Sequence, residues 1–213
     1  VQPMYDIDEI VSHSNAIFHV DAVQAIGHLD IDFHEFDIDA MSITAHKFGG
    51  PKGIGVLLIK TGTTVKFPQL GGEQEVKRRA GTENVPQIVG LSEALKLANQ
   101  YRDENNVHLM NLKNQFLVSL QERSVPFELN GSMTDTTGHI VNLYFPFIDV
   151  ETMLTLLDLA NIYVASGSAC TAGSTSPSHV LLAMYGDDTR TNHSVRFSFN
   201  EQMNEQQIKY IVA

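Results

Sequence analysis

The sequence predicts an α/β fold in two parts: a mixed, mostly parallel sheet within residues 1–100, followed by a small α+β domain in residues 101–213. Three short apolar runs of strand type, separated by helical stretches and turns, indicate the sheet. Two of these runs end in polar residues, at the place where open α/β sheets bind their ligands. Beyond residue 127 short strands and helices alternate closely, which is typical of a compact α+β domain.

The elements of the first part follow from hydrophobic periodicity and from Gly/Pro-rich turns. We expect helices at residues 7–13, 22–27 and 85–122, strands at residues 16–20, 40–43 and 54–59, and a polar Gly-rich loop at residues 71–84. The third strand returns from a Gly/Pro-rich turn. The long helix, with an interruption near residues 103–106, links the two parts.

The elements of the second part are shorter and follow from the same patterns. We expect strands at residues 140–145, 163–165 and 195–199, and helices at residues 150–160, at residues 177–184 and from residue 204 onward. A loop of small residues around Cys170 separates the second of these strands from the helix that follows it.

Charge and hydropathy exclude some classes of partner. Lys and Arg number 14 against 25 Asp and Glu, so the net charge is −11, which argues against nucleic acid or an anionic membrane as the main partner. Basic proteins suit this field better. The sequence contains no signal peptide and no apolar run of the roughly 20 residues that a membrane span needs.

The single cysteine and the two ends of the sequence lead to further expectations. One cysteine cannot form an internal disulfide, and we therefore expect a reducing, cytoplasmic location. The sequence starts at Val1 without an initiator Met, and it stops at Ala213 inside an amphipathic pattern that has no cap. We expect both ends to be cuts through a longer protein.

The residues at the ends of the first two strands favour one kind of chemistry. A carboxylate such as Asp21 at a strand end most often caps a helix. Lys47 follows the next strand, and a lysine at a buried strand end is costly unless it is paired or forms a Schiff base. A solvated turn lysine is the simpler interpretation, but it leaves Asp21 unexplained.

Pyridoxal phosphate (PLP) needs a lysine for its aldehyde, a carboxylate for its pyridine nitrogen, and donors for its phosphate and phenolate oxygens. The residues that supply this set are Asp21, Gln24, Thr44, His46 and Lys47.

Three segments together resemble a known family. They are His-Val-Asp-Ala-Val-Gln at 19–24, Thr-Ala-His-Lys at 44–47 continuing into Gly-Pro-Lys-Gly-Ile-Gly at 50–55, and Ala-Ser-Gly-Ser-Ala-Cys-Thr at 165–171. In this order they are similar to cysteine desulfurases of the NifS/IscS type, which are class V aminotransferase-like PLP enzymes of fold-type I. The resemblance implies that residues 1–100 are the C-terminal part of the PLP-binding large domain with its linking helix. Residues 101–213 would then be the small domain that carries the cysteine loop.

The resemblance implies a role for each residue of the first part. Lys47 becomes the covalent anchor of PLP, Asp21 the partner of the pyridine nitrogen, and Gln24 the donor to the phenolate oxygen. Thr44 stands where the family usually has Ser and keeps the hydroxyl for the phosphate, and His46 becomes a second phosphate ligand.

The loop at residues 71–84 resembles the family loop whose threonine reaches the phosphate of the other subunit. Thr82 therefore implies a homodimer. Glu73 and Val76 depart from the Gly and Arg that are commoner in that loop. In the second part, Arg196 on a strand would ordinarily be solvated, but the resemblance makes it the residue that holds the substrate α-carboxylate.

Cys170 lies among small residues, without the large apolar neighbours that a core thiol packs against. We therefore interpret it as an exposed, mobile loop thiol. The resemblance makes it the nucleophile that takes sulfur from L-cysteine, leaves L-alanine, and holds the sulfur as a persulfide for a sulfur-acceptor scaffold protein. Iron–sulfur cluster or thio-cofactor synthesis would use that sulfur. The histidines show no metal spacing, so we expect no metal site.

The sequence departs from the family pattern at its start and leaves alternatives open. It begins after the segment that supplies a phosphate-binding turn and the His above the PLP ring, so we expect the chain alone to bind PLP weakly or not at all. A selenocysteine lyase or another related PLP enzyme would share every cofactor residue. A catalytically silent fragment that serves as an interaction or dimerisation module is the alternative of a different class. A transaminase fits less well, because transamination has no use for a loop cysteine.

Overall fold

A computed structural model of the protein describes residues 1–167, 178–186 and 188–213. The chain divides into two compact units, an amino-terminal unit (Gln2–Asp103) and a carboxy-terminal unit (Glu104–Ala213) that also takes in Val1. Each unit has its own three-stranded sheet and its own hydrophobic core.

The amino-terminal unit is a mixed sheet with helices before and after it. Its elements in chain order are α1 (Met4–Ser12), β1 (His19–Asp21), β2 (Ala40–Thr44), a 3-10 turn (Ala45–Lys47), β3 (Gly55–Ile59), α2 (Gln74–Lys77) and α3 (Val85–Gln100). The strand order is β1-β2-β3, with β1 parallel to β2 and β3 antiparallel to β2. The mixed α/β character that the sequence predicts is confirmed.

Apolar side chains on one side of β2 and around it form the core of this unit. The fully buried members are Ala22, Ile38, Met41 and Ile43. Burial of this kind stabilises by about 25 cal/mol for each Å² of apolar surface removed from water. The core therefore fixes β2 firmly, and β2 is the strand that leads into the 3-10 turn.

The predicted helix at residues 22–27 is wrong, because the chain makes consecutive turns there. The amides of Ala25 and His28 bond to carbonyls only three residues back, those of Ala22 and Ala25. Gly27 then takes a positive φ of 81°. Six residues give too few i to i−4 bonds to offset the cost of starting a helix.

The long predicted helix is interrupted, but at Tyr101, earlier than residues 103–106. Tyr101 ends α3 with φ −103° and ψ 7°, and α4 (Arg102–Glu122) begins at the next residue. The guanidinium of Arg102 bonds to the carboxylates of Asp30 and Asp103, which fixes the start of α4.

The segment α2 is not a regular helix. Glu75, Val76 and Lys77 have φ of 51°, 56° and 65°, so the backbone makes a left-handed turn. Residues other than glycine seldom adopt this conformation, and a β-branched residue such as valine adopts it least. The exposed ion pair of Lys77 with Glu73, at 2.9 Å, spans the turn.

The carboxy-terminal unit packs helices against an antiparallel sheet. After α4 its elements are β4 (Glu128–Leu129), β5 (Ile140–Tyr144), α5 (Val150–Leu159), α6 (His179–Tyr185), α7 (Asp188–Asn192), β6 (Ser194–Ser198) and α8 (Glu205–Val212). The strand order is β4-β5-β6. The predicted strand at residues 163–165 is reduced to one bridge between Ala165 and Arg196, and the sequence reasoning missed β4 and α7.

The core of this unit holds one unexpected residue. Phe116 and Leu109 of α4 pack with the sheet residues Val141, Leu143 and Phe197. Lys113 lies on the same helix and is only 1% exposed. Burial lowers the pKa of the Lys113 ammonium below its ordinary value of 10.5, since the charged form loses its hydration.

No helix among the described residues is both long and apolar enough to cross a membrane. Within the same ranges, no group of three or more His, Cys, Asp or Glu side chains could hold a metal ion.

The buried amine of Lys113 leads to a prediction about pH and stability. Between the lowered pKa of the folded state and 10.5 the unfolded chain binds more protons, so the free energy of unfolding rises with pH across that window. Lys113→Met keeps the length of the side chain and removes the charge. We expect the variant to be more stable than the wild type at pH 7 and to lose most of this advantage at pH 10, as measured by urea unfolding.

Lys209→Met is the matched control, because Lys209 is exposed on α8 of the same unit. Its stability difference from the wild type should stay small and should not change with pH. An equal pH dependence in both variants would contradict the assignment to Lys113.

Candidate functional site

Asp21 is the last residue of β1, and its carboxylate lies at the carboxyl end of the strand. Asp21 lies opposite Ser42 in the parallel ladder between β1 and β2. Its Oδ1 accepts a hydrogen bond from the amide of Val23 at 3.0 Å. This bond turns the chain away from the strand and holds the carboxylate at the exposed edge of the sheet.

The second strand leads directly into the 3-10 turn that carries His46 and Lys47. The carbonyl of Ala45, which is fully buried, accepts bonds from the amides of Phe48 at 3.1 Å and Gly50 at 2.9 Å. The turn is thus fixed at Ala45, while the side chains of His46 and Lys47 are exposed. Thr44 Oγ1 lies 3.1 Å from Nδ1 of His46, so a hydroxyl and an imidazole are held together beside the lysine.

Two glycines allow this turn to form. A Cβ at Gly50 would lie 2.8 Å from the Cβ of Ala45, and a Cβ at Gly55 would lie 2.7 Å from the carbonyl oxygen of Ile43. Atoms cannot approach so closely without a shift of the backbone. The glycines at positions 50 and 55 therefore allow the turn and β3 to pack closely against β2.

The parallel pairing of β1 and β2 brings Asp21 and Lys47 to one edge of the sheet. Neighbouring strands lie about 4.8 Å apart. Asp21 is level with Ser42, and Lys47 follows Ser42 by five residues, beyond the end of β2. Lys47 is exposed, so the premise of a lysine at a buried strand end is wrong: the 3-10 turn carries its side chain out of the core.

Sequence reasoning missed a polar pair on the same two strands. His19 Nε2 lies 2.8 Å from Ser42 Oγ. This contact joins β1 to β2 next to Asp21. A signal was available, because residues two apart in a strand share a face, and His19 and Asp21 are two apart. The pair therefore lies on the face that carries the carboxylate.

The other predicted residues of the amino-terminal unit lie around this edge and a separate groove. Gln24 is exposed on the turns after β1. Thr82 lines a groove of about 850 Å³ between the loop at residues 71–84 and the exposed side of β3. The groove is also lined by Arg78, Arg79, Glu75 and Glu83, so charges of both signs lie near the hydroxyl of Thr82.

Arg196 belongs to the carboxy-terminal unit and lies in the middle of β6. Its Nη1 donates to the carbonyl of Gly167 at 2.9 Å, and its backbone pairs with Ala165. Its Nε is buried and has no hydrogen-bond partner within the described ranges. Cys170 lies outside the described residues.

Comparison with known proteins assigns the chain to a family. The family model for class-V aminotransferases matches residues 1–211. The chain belongs to the class-V aminotransferase family. The resemblance stated on the sequence motifs is thereby confirmed.

Two relatives of the chain carry the name IscS. A Bacillus subtilis (strain 168) protein named IscS 1 is 48% identical over 210 residues, which are 98% of this chain and 55% of the relative. Cysteine desulfurase IscS of Clostridium botulinum (strain Hall) is 40% identical over 214 residues, which are 100% of this chain and 54% of that protein. The chain thus spans about half the length of these relatives.

A solved structure described as a NifS-like protein agrees with the fold. It superposes with a TM-score of 0.90 at 30% identity, and the match covers 100% of this chain and 55% of that one. The likeness confirms the fold class that the sequence predicts, part of a fold-type I large domain followed by a small α+β domain.

Class-V aminotransferases are PLP-dependent enzymes, and the donors at the edge of the first sheet fit that cofactor. A carboxylate suits a protonated pyridine nitrogen, and an exposed amine suits an aldehyde. The hydroxyl of Thr44, held beside the imidazole of His46, suits a phosphate oxygen. The edge therefore carries a carboxylate, an amine, a hydroxyl and an imidazole on two adjacent strands and on the turn that follows the second.

The close approach at Gly55 gives a test of how the turn is held. In Gly55→Ala the added methyl meets the Ile43 carbonyl, so β3 must move away from β2. We expect a loss of about 1–3 kcal/mol in the free energy of unfolding, as for overpacked cores. Urea unfolding measures it.

Gly62→Ala is the control, since a Cβ there meets nothing within 4 Å although φ is +96°. It reports the backbone cost alone. Wild-type stability in Gly55→Ala would show that contact with the Ile43 carbonyl is not what requires glycine at that position.

Proposed function

We propose that the native protein is a PLP-dependent cysteine desulfurase that removes sulfur from L-cysteine and releases L-alanine. The observation that carries the proposal is the placement of Asp21 and Lys47 at one edge of two adjacent parallel strands. Family membership and relatives named cysteine desulfurase support it. The chain spans about half the length of those relatives, so the activity of the whole protein is part of this proposal.

Asp21 and Lys47 take the two central roles in this proposal. When bound, PLP withdraws electrons from the α-carbon of the amino acid. The Asp21 carboxylate keeps the pyridine nitrogen protonated, and the amide of Val23 orients that carboxylate through Oδ1. The Lys47 amine holds the aldehyde and then moves protons at the substrate α-carbon.

The remaining donors orient the cofactor. Thr44 and His46 hold the phosphate, and the 3.1 Å contact between their side chains supports a shared role. Gln24 donates to the phenolate oxygen. Thr82 reaches the phosphate bound by the other subunit, so the native protein is a homodimer. Arg78 and Arg79 line the same groove as Thr82 and would be available to an anionic ligand there, although Glu75 and Glu83 line it too.

Cys170 and Arg196 act on the substrate. The guanidinium of Arg196 holds the α-carboxylate, and its buried Nε without a partner among the described residues supports that role. The Cys170 thiolate attacks the substrate sulfur and forms an S–S bond. The substrate C–S bond breaks, its electron pair stays on carbon, and that carbon takes a proton to give alanine.

The fate of the sulfur completes the proposal. The persulfide on Cys170 passes its terminal sulfur to a scaffold protein in the cytoplasm, for iron–sulfur cluster or thio-cofactor synthesis. The net charge of −11 supports a partner with a basic surface.

Replacement of the lysine tests the cofactor assignment. In Lys47→Ala of the native protein we expect the visible absorbance of lysine-bound PLP to be absent, because no amine remains for the aldehyde. Lys52→Ala is the matched control: Lys52 is exposed on the same Gly-rich segment, and the variant should keep the absorbance. Full absorbance in Lys47→Ala would refute the assignment.

Replacement of the cysteine tests the sulfur-transfer step. In Cys170→Ala we expect PLP to stay bound, while sulfide production from cysteine falls by more than about a hundredfold, since the nucleophile is gone. Ser166→Ala, four residues earlier, should keep both properties. Sulfide release and absorbance spectra measure them, and normal turnover without Cys170 would exclude it as the nucleophile.

A further inference from the structure

Asn130 and Gly131 are the one Asn-Gly pair in the sequence, and they follow the short strand β4 directly. In such a pair the main-chain nitrogen of the glycine can attack Cγ, the amide carbon of the asparagine side chain. A Cβ on the second residue would hinder that approach, and glycine has none. The pair is therefore open to modification by its own main chain.

The reaction of such a pair is deamidation, and it needs no reagent except water. The Gly131 nitrogen forms a bond to Cγ of Asn130 and closes a succinimide ring. The bond from Cγ to Nδ2 breaks, and Nδ2 leaves as ammonia with the proton of the Gly131 amide. Water then opens the ring at one of its two carbonyls, which gives aspartate or isoaspartate.

The backbone of the protein requires glycine at the second position of the pair. Gly131 has a positive φ of 100°, a conformation that other residues seldom adopt. A Cβ there would meet nothing within 4 Å, so conformation and not space is the reason. Because glycine is needed, any protection of Asn130 must come from the residues around it.

The side-chain amide of Asn130 is held by three hydrogen bonds. Its Nδ2 donates to Asn142 Oδ1 at 2.7 Å and to Ser194 Oγ at 2.8 Å. Its Oδ1 accepts from Nε of Arg190 at 2.6 Å. Ring closure draws Cγ into a ring with the Gly131 nitrogen, so Nδ2 and Oδ1 must both leave the positions that these bonds define.

Arg190 of α7 is itself fixed and cannot follow a moving amide. Its Nη1 donates to Glu128 Oε2 at 2.7 Å and its Nη2 to the carbonyl of Leu129 at 3.4 Å. The guanidinium lies 4.2 Å from the centre of the Tyr185 ring, and the side chain is 16% exposed. A planar group with bonds on all three nitrogens sets the place of Oδ1 firmly.

The nucleophile of the reaction is held as well. The amide of Gly131 donates its proton to the hydroxyl of Tyr185 at 2.9 Å. Attack on Cγ requires the nitrogen to give up that proton and to approach the side chain of Asn130, which breaks this bond. Tyr185 thus holds the attacking atom, while its ring packs against the arginine that holds the attacked group.

One effect of Arg190 acts in the opposite direction. A charged donor on Oδ1 draws electrons from Cγ, and donors of this kind accelerate acyl transfer when they are aimed at the developing charge. Such acceleration requires that the reacting atoms reach each other. Because the bonds to Asn142, Ser194 and Tyr185 oppose that approach, we expect restraint to exceed activation.

Deamidation would detach β4 from the sheet. The backbone amide of Asn130 donates to the carbonyl of Asn142 at 2.9 Å, next to the pair of Leu129 and Leu143 in the ladder between β4 and β5. Isoaspartate adds one carbon to the main chain at this point and shifts the ladder. Aspartate, in turn, has no amide protons for Asn142 and Ser194.

We propose that Asn130 is a deamidation site, at which Arg190 and Tyr185 suppress attack by the Gly131 nitrogen in the folded protein. The reaction proceeds from a locally opened form in which the bonds of both residues are broken. Its rate follows the population of that form. The inference does not depend on the proposed desulfurase activity.

The test measures deamidation directly. The native protein is incubated at neutral pH in water labelled with heavy oxygen, and the peptide that contains Asn130 is analysed by mass spectrometry. We expect Arg190→Gln to raise the rate at least about tenfold, because a hydrogen bond from a charged donor contributes that much to the closed form. Tyr185→Phe keeps the ring and removes the hydroxyl, and it should raise the rate about threefold or more.

Two controls separate local opening from global unfolding. Val212→Ala shortens a buried side chain of α8 in the same unit and removes no bond of Asn130. It should leave the folded-state rate unchanged. In concentrated urea the wild type and all variants should react at one common rate, faster than that of the folded wild type.

The outcomes decide the proposal. A wild-type rate in folded Arg190→Gln would overturn it, and a slower rate would do so by showing that the guanidinium activates the amide. An equal increase in Val212→Ala would overturn it too, because global unfolding would then explain the reaction. If Arg190→Gln does not fold, Tyr185→Phe decides by the same criteria.

Discussion

The parallel ladder between β1 and β2 is the constraint on which the candidate site depends. Its register sets Asp21 beside Ser42, and the sequence then needs only five more residues to reach Lys47. A slip of one residue would turn Asp21 to the opposite face of the sheet. The buried side chains Met41 and Ile43 prevent such a slip, because it would expose them. The chemistry of the edge is therefore held by apolar residues that take no part in it.

Polar groups are held in place by different interactions in the two units. In the amino-terminal unit, close backbone packing at Gly50 and Gly55 fixes the turn, and the side chain of Lys47 is exposed beside it. In the carboxy-terminal unit, a guanidinium with three hydrogen bonds and two aromatic neighbours joins α7 to β4 and to the end of α6. Backbone packing suits a group that must stay in place.

Elements that contain an apolar run were predicted correctly from the sequence. Elements whose conformation depends on one or two specific contacts were not. Strand β2 lay where its apolar run indicated, and its neighbour Asp21 was recognisable from its place at a strand end. The turns at residues 22–27 were mistaken for a helix, because periodicity cannot show that Asp21 takes the first amide and that Gly27 closes the segment. Helix α7 has five residues and no apolar pattern, and its polar contacts with β4 join residues some 60 positions apart, so no local signal reveals it.

The left-handed turn at α2 places an unfavourable backbone conformation in the loop that carries Thr82. Three consecutive residues with positive φ cost on the order of 1 kcal/mol each, and the exposed ion pair between Lys77 and Glu73 spans them. Dissolved ions screen such a pair strongly, since the Debye length falls from about 10 Å at 0.1 M to about 3 Å at 1 M. An exposed pair contributes at most about 1 kcal/mol, so added salt removes only a small part of what holds this backbone left-handed.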